Sequence, residues 1–436
     1  MTDKDDLNCI VPVAKKLVQQ EEERSCDELD VSAHRTRDVH HKEYDSVRRL
    51  FGLVLYMVEG KVCIKSLIKT PLKDGFYMPA EFQKQEATWL GFPSNPGTFR
   101  LIPAQKVIKA VADIISKYQK VYIVVQSSMW EHACETFKNC KNIFVVEVNT
   151  NDNWLRDIAP TFLIKNVNNE IYLRSVGWKF NGWGNPKEIE HNLDALTALK
   201  ISNTLSIPFY NKNDFVCEGG SFSVDGQGTL ITTEECLLNH RNKNLSKKQI
   251  NTILSNYLNL TKIIWIPHGV ANDTDTMGHV DNICVFVGVG KVILTWPDDC
   301  GTEKCVDKEQ EKWSLAALHV LENTPDANGN KIKVYKMPHP PILTYSKEEI
   351  KTLPVTDGSF VRKANVRLAA SHVNLIITNE VVVVPTFNCS TDSRALKIMS
   401  EVFPDKKIVG VYAREIVLGG GNIHCMSQQQ PYSTMT

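Results

Sequence analysis

From Pro79 onward, short apolar runs alternate with stretches of helical period. Val121 to Val125, Ile143 to Val148, Ile171 to Val176, Thr229 to Thr233, Lys262 to Ile266 and Ile283 to Val287 read as strands. So do Val292 to Trp296, Ile332 to Tyr335, Leu375 to Thr378, Val381 to Val384 and Ile408 to Val411. β-Branched and aromatic residues dominate these runs, and glycine, proline or asparagine flanks many of them. Between them lie amphipathic helices. Val107, Ala110, Val111, Ile114, Ile115 and Tyr118 recur at helical spacing, as do Ile250, Ile253, Leu254, Tyr257 and Leu258. Trp313 to Leu321 and Ser393 to Phe403 are two more. Interleaving over the whole length, with no linker after residue 80, predicts one α/β domain of repeated units, although no identity between repeats is visible.

Residues 1–70 have a different texture. Charged clusters such as Glu21-Glu22-Glu23-Arg24 and His40-His41-Lys42-Glu43 leave apolar residues sparse before Val47. The segment reads as a partly disordered extension with one helix or strand near Val47 to Val58. Its apolar run from Leu50 to Val58 is too short to span a bilayer, so no membrane partner is expected.

Composition narrows the function. Lysine plus arginine and aspartate plus glutamate number 50 each, which gives no net field for nucleic acid. At 436 residues and 42% hydrophobic content the chain can bury a large core. Its 12 cysteines show neither CxxC pairs nor framework spacing, and no secretory signal precedes them. A reducing, cytoplasmic setting is expected.

Several polar clusters could carry chemistry. Gly419-Gly420-Gly421 marks backbone that turns sharply or passes close to another group, and Cys425 follows within the same loop. The preceding run Ile416-Val417-Leu418 reads as a buried strand that presents the thiol. Such a cysteine is either a nucleophile or a packed, inert residue. Asn151 to Pro160 follows a strand end and holds Asp152, Trp154, Arg156 and Asp157, which fits a binding loop or a set of turn caps. In Glu218-Gly219-Gly220 the glycines admit a close approach beside Glu218. His279 and Asp281 precede the strand Ile283 to Val287, and in extended chain they face the same side. Metal ligands, an acid/base pair and a structural pair are all open for them, although no HExxH or second HxD completes a metal set. Asn374 is a candidate orienting group at a strand start.

Taken in order, these segments resemble the agmatine deiminases. That family belongs to a guanidine-modifying superfamily which also holds bacterial peptidylarginine deiminases. The resemblance rests on Gly75 to Phe82, Asn151 to Pro160, Trp178 to Gly184, Glu218 to Thr229, Gly278 to Asn282, Arg367 to Asn374 and Gly419 to Pro431, and it spans residues 71 to 431. It implies a five-bladed, pseudo-symmetric α/β propeller over residues 71–436, a single catalytic domain with its site on the central axis. It also implies hydrolysis of agmatine to N-carbamoylputrescine and ammonia, in putrescine synthesis, without metal or organic cofactor. The partner is a small guanidino substrate, and homo-oligomers are common among relatives. Cys425 would be the nucleophile and His279 the acid/base. Asp157 and Asp281 would hold the guanidinium and Asn374 would be a polar site residue. Asp275 would face the far ammonium, Trp154 would flank the chain, and Glu218 and the Gly420 loop would shape the pocket. Ser223, Met277, Phe92, Phe99 and a shortened loop after Gly184 depart from the family pattern. Deimination of arginine or peptidyl-arginine, and a non-catalytic amidine binder, are the alternatives.

Overall fold

The computed structural model describes residues 27–29, 57–58, 61–64, 67–185, 188–297, 307–354 and 359–435. Backbone contacts divide the chain into residues 1–68 and 69–436. In the first unit Asp27–Leu29, Lys61–Ile64 and Met57–Val58 form a small antiparallel sheet, which the reading as a mere extension did not foresee. The element expected near Val47 to Val58 lies outside the described residues apart from its last two.

The second unit repeats one motif five times: an antiparallel pair, then a helix, then a strand parallel to the second of the pair. The innermost strands are Thr161–Val167, Phe222–Val224, Cys284–Gly288 and Ile376–Ile377, paired respectively with Glu170–Lys179, Thr229–Thr233, Lys291–Trp296 and Val381–Thr386. The parallel third strands are Phe209–Val216, Lys262–Ile266, Lys333–Pro338 and Lys407–Tyr412. In the remaining blade the innermost strand comes from the far end of the chain. Ser427–Pro431 runs antiparallel to Gln85–Gly91, which is followed by parallel Lys120–Val125 and Ile143–Glu147. This is the pseudo-symmetric five-bladed α/β propeller, and its last strand joins the two ends of the polymer in one sheet. Parallel neighbours require a crossover, which explains the helix at the same point of every repeat.

Local sequence explains those helices. Ser246 and Gln249 form a reciprocal capping box at the start of Lys247–Leu258, and Asn259 ends it in the left-handed region at φ 58°. Ile250, Leu254 and Leu258 are its buried stripe. Leu101–Ile115 likewise buries Ala104, Ile108, Val111, Ala112 and Ile115.

Three sequence expectations change. Ile416-Val417-Leu418 is no strand: Arg414–Val417 is one helical turn, and all three apolar residues are buried by it. A three-residue apolar run suits either geometry. His279 and Asp281 are not in extended chain, because Val280–Asn282 is a 3₁₀ turn. Ser427–Pro431 was invisible as a strand since three glutamines occupy it. They are held by partners, among them Trp89, whose Nε1 donates to Gln430 Oε1 at 3.0 Å.

Candidate active site

The repeat places the chemistry. In each blade the chain just before the innermost strand supplies polar side chains to the ring centre. Asp157 lies in the short helix Leu155–Ile158 ahead of Thr161–Val167, and Glu218 precedes Phe222–Val224. His279 and Asp281 precede Cys284–Gly288, Asn374 precedes Ile376–Ile377, and Cys425 precedes Ser427–Pro431. Residues hundreds apart in sequence meet because five equivalent loops share one axis.

Cys425 is buried, and its neighbours are specific. Asn374 Nδ2 donates to its sulfur at 3.2 Å, while Asn374 Oδ1 accepts from the backbone N–H of His424 at 3.0 Å. Asp281 Oδ2 lies 3.9 Å from the sulfur. Arg156 N donates to Cys425 O at 3.0 Å, which ties the thiol to the loop that carries Asp157. A cavity of 310 Å³ is lined by Cys425, Trp154, Asp157, Asp275 and Gly420, so five of the expected site residues meet there. Asp281 and Asn374 do not line it, although both approach the sulfur of Cys425, and neither do His279 and Glu218. The latter two stand behind Asp157, with His279 Nδ1 3.7 Å from Asp157 Oδ1 and His279 Nε2 4.0 Å from Glu218 Oε2. Glu218 therefore does not shape the pocket directly: Arg241 Nε donates to it at 2.9 Å in a fully buried pair.

The centre is buried and rich in negative charge. Asp157 accepts from Trp183 Nε1 at 2.9 Å and from Gly220 N at 3.1 Å. Burial raises its carboxyl to about 6, with Asp281 and Glu218 adding to the effect and His279 opposing it. For His279 burial disfavours the charged ring, but Asp157, Cys236 and Asp281 outweigh it and raise the imidazole to about 10. Burial first, and then Asp281 and Asp157, push the Cys425 thiol well above its ordinary range. The site by itself disfavours a thiolate. Asp281 Oδ1 is buried and has no hydrogen-bond partner among the described residues, so it can accept from a cationic N–H donor.

At the cavity's far end Asp275 is not free. Both of its oxygens accept from Arg362 Nη1, at 2.8 and 2.6 Å, and Arg362 Nη2 donates to Gly419 O at 2.6 Å. Its charge is already matched by a guanidinium that also clamps the glycine loop. Asp152, which also lines the cavity, accepts only from neutral donors, including Thr98 Oγ1 at 2.7 Å and Trp154 Nε1 at 3.2 Å. Burial raises its carboxyl to about 6. Gly420, at φ +104°, is required: a Cβ there would overlap Asp275 Oδ2, and one on Gly421 would press into Trp154.

Two side-chain groups have metal-like donor sets among the described residues. In Glu218, Cys236 and His279 the donor atoms lie within 4.8 Å of one another, but Arg241 already neutralises Glu218 and a guanidinium beside the set opposes a cation. In His372, Cys389 and Asp392 both ring nitrogens of His372 are occupied, by Pro385 O and Thr391 Oγ1. That group is structural.

The sequence profile of the Porphyromonas-type peptidyl-arginine deiminases matches residues 77–431. The chain belongs to this family. Agmatine deiminase of Pseudomonas syringae pv. tomato is 42% identical over 375 residues, which cover 84% of this chain and 98% of that protein. Agmatine deiminase of Pseudomonas aeruginosa is 43% identical over 371 residues, covering 83% and 97%. Among solved structures, agmatine deiminase of Enterococcus faecalis superposes with TM-score 0.77 at 36% identity, covering 84% of this chain and 99% of that one. A C. jejuni agmatine deiminase with substrate bound superposes with TM-score 0.68 at 25% identity, covering 82% and 97%.

Three of the residues that depart from the family pattern have defined surroundings. Ser223 Oγ accepts from Phe286 N at 3.0 Å and so joins two blades. Phe99 packs on Trp154 with centroids 5.1 Å apart. Met277 holds a left-handed backbone at φ 54° and lines a neighbouring cavity of 410 Å³ rather than the one at the thiol. Sequence reasoning missed Arg362, which no local pattern marks, and left Asp152 unassigned within a loop it did single out. Gly220 supplies a direct test of the site's tightness, because a Cβ there would overlap His279 Nδ1 and crowd Asp157 Oδ1. Gly220→Ala is expected to lower kcat by about a hundredfold or more by displacing His279 and Asp157, with the circular dichroism spectrum retained and a stability loss of about 1–3 kcal/mol. Wild-type kcat in this variant would show that the packing is looser than described.

Proposed function

We propose that this chain hydrolyses agmatine to N-carbamoylputrescine and ammonia through an amidino-cysteine on Cys425. The observation that carries this reading is the buried thiol between two carboxylates, one with an unbonded oxygen, in a chain whose relatives named above are agmatine deiminases. A guanidinium keeps its charge at any ordinary pH and needs carboxylates where water is excluded. Asp157 and Asp281 would bind its nitrogens.

The same contacts activate the nucleophile. The two carboxylates that hold Cys425 protonated are matched once a cation lies between them, so its thiol ionises when substrate is bound and not before. The sulfur attacks the central guanidinium carbon and a C–S bond forms. The nitrogen held at Asp157 is the one His279 can reach, given the 3.7 Å contact between them. The imidazolium donates its proton there, the C–N bond breaks and ammonia leaves. Neutral His279 then takes a proton from water, whose oxygen adds to the amidino carbon. Breaking the C–S bond frees the ureido product and Cys425. That product stands one hydrolysis from putrescine, so the reaction feeds putrescine synthesis. No helix among the described residues is long and apolar enough to cross a membrane.

The amine end of agmatine faces Asp152 and Asp275 in this reading, and of the two only Asp275 is hydrogen-bonded to Arg362.

Three outcomes test the proposal. Acid-quenched wild-type protein should carry an amidino adduct on Cys425 by intact mass, and Cys425→Ala should release no ammonia; turnover by that variant would exclude the covalent route. kcat/KM should favour agmatine over arginine by about a hundredfold, since an α-carboxylate meets the like charge of Asp152. Equal values would favour arginine deimination. Because Asp157 and Asp152 both lose charge as pH falls through about 6, kcat/KM should fall on the acid side with a slope steeper than one proton. Asp152→Asn should reduce that slope to one and raise KM, whereas an unchanged acid limb would remove Asp152 from amine binding.

A further inference from the structure

His424 precedes the nucleophile yet lies outside the substrate cavity. It lines a separate space of 30 Å³ with Glu81, Arg156 and Asp281. Its Nδ1 is 2.8 Å from Asp281 Oδ2, and its Nε2 is 2.9 Å from Glu81 Oε2. A neutral imidazole has one N–H and one lone pair, so one of these carboxylates would face a lone pair. Only the imidazolium donates to both. Glu81 is fixed in turn, because its Oε1 accepts from Ile377 N at 3.0 Å and Arg156 Nη2 lies 3.8 Å from its Oε2. The four residues come from segments before strands of three different blades, Glu81 and His424 sharing one.

We propose that His424 is a positioning residue, a permanent imidazolium strut between Glu81 and Asp281 that aims the unbonded Oδ1 of Asp281 at the substrate's guanidinium. The strut occupies Oδ2 and leaves Oδ1 open. It also supplies a positive charge behind Asp281. Burial and Arg156 oppose a charged ring here, and the two carboxylates overcome them, so the imidazole sits above its ordinary range. The backbone N–H of the same residue donates to Asn374 Oδ1, so one residue orients both groups nearest the sulfur.

This inference rests on the guanidinium site proposed above, and its test does not require turnover. Cys425 is alkylated with 2-chloroacetamidine, a cationic amidine that needs Asp281, and with neutral iodoacetamide, which does not. The readout is the ratio of the two second-order rate constants. If wild-type protein shows no preference for the amidine, the guanidinium site itself fails; if it does, the variants judge the strut. His424→Leu should lower the ratio about tenfold, the scale of one lost charge-assisted hydrogen bond. His424→Asn, whose Nδ2 stands near the place of the ring Nδ1, should recover most of it. Should the leucine variant not fold, Glu81→Gln serves instead and should lower the ratio at least about threefold by removing the counter-charge. A ratio unchanged in a folded His424→Leu or Glu81→Gln protein overturns the proposal, as does an asparagine variant no better than leucine. A purely structural role predicts equal slowing with both reagents.

Discussion

Negative charge buried around one thiol is the constraint on which this structure depends. Asp157 and Asp281 are buried beside Cys425, and together with burial they hold its sulfur protonated. Isolated anions out of water are costly, and several here have a cationic neighbour. Arg241 answers Glu218, Arg362 answers Asp275, and His424 stands between Glu81 and Asp281. Asp281 Oδ1 has no such answer among the described residues. A planar cation completes the arrangement, and the chemistry starts only when it does.

The propeller is what makes such a centre affordable. Five sheets, each backed by a crossover helix, bury apolar residues from Ala87 to Met426 in continuous clusters and hold the loops before their innermost strands rigidly at one axis. Pairing Ser427–Pro431 with Gln85–Gly91 brings Cys425, near the end of the chain, to the blade that holds Gln85–Gly91. Close approach is then secured by glycine. Gly220 sits against His279 and Asp157, and Gly419 to Gly421 thread between Phe99, Asp275 and Trp154, where a Cβ would overlap a neighbour.

Much of this was legible before any coordinates. The parallel strands and their helices announce themselves because both faces are buried, which writes continuous apolar runs such as Val381 to Val384. The glycine triplet and the thiol after it pointed to the site for sound physical reasons. What stayed hidden was carried by polar or very short segments. Ser427–Pro431 pairs through its backbone while carrying three glutamines, two of them buried, and Phe222–Val224 is three residues long. Arg362 and Glu81 act only through partners far away in sequence, to which no local spacing refers. Asp275 looked like a free carboxylate because its guanidinium partner lies in another segment. The 3₁₀ turn at Val280–Asn282 shows the limit of strand periodicity next to a functional loop, where it placed His279 and Asp281 on one face and the structure separates their tasks.

The most direct measurement is the ionisation of Cys425 itself, followed by ultraviolet thiolate absorbance as the difference between wild-type protein and Cys425→Ala. With no ligand the difference should be absent at neutral pH, and saturating an inert alkylguanidinium should make it appear. A thiolate already present in the free protein at neutral pH would contradict the account, because the nucleophile would then owe its charge to the protein alone.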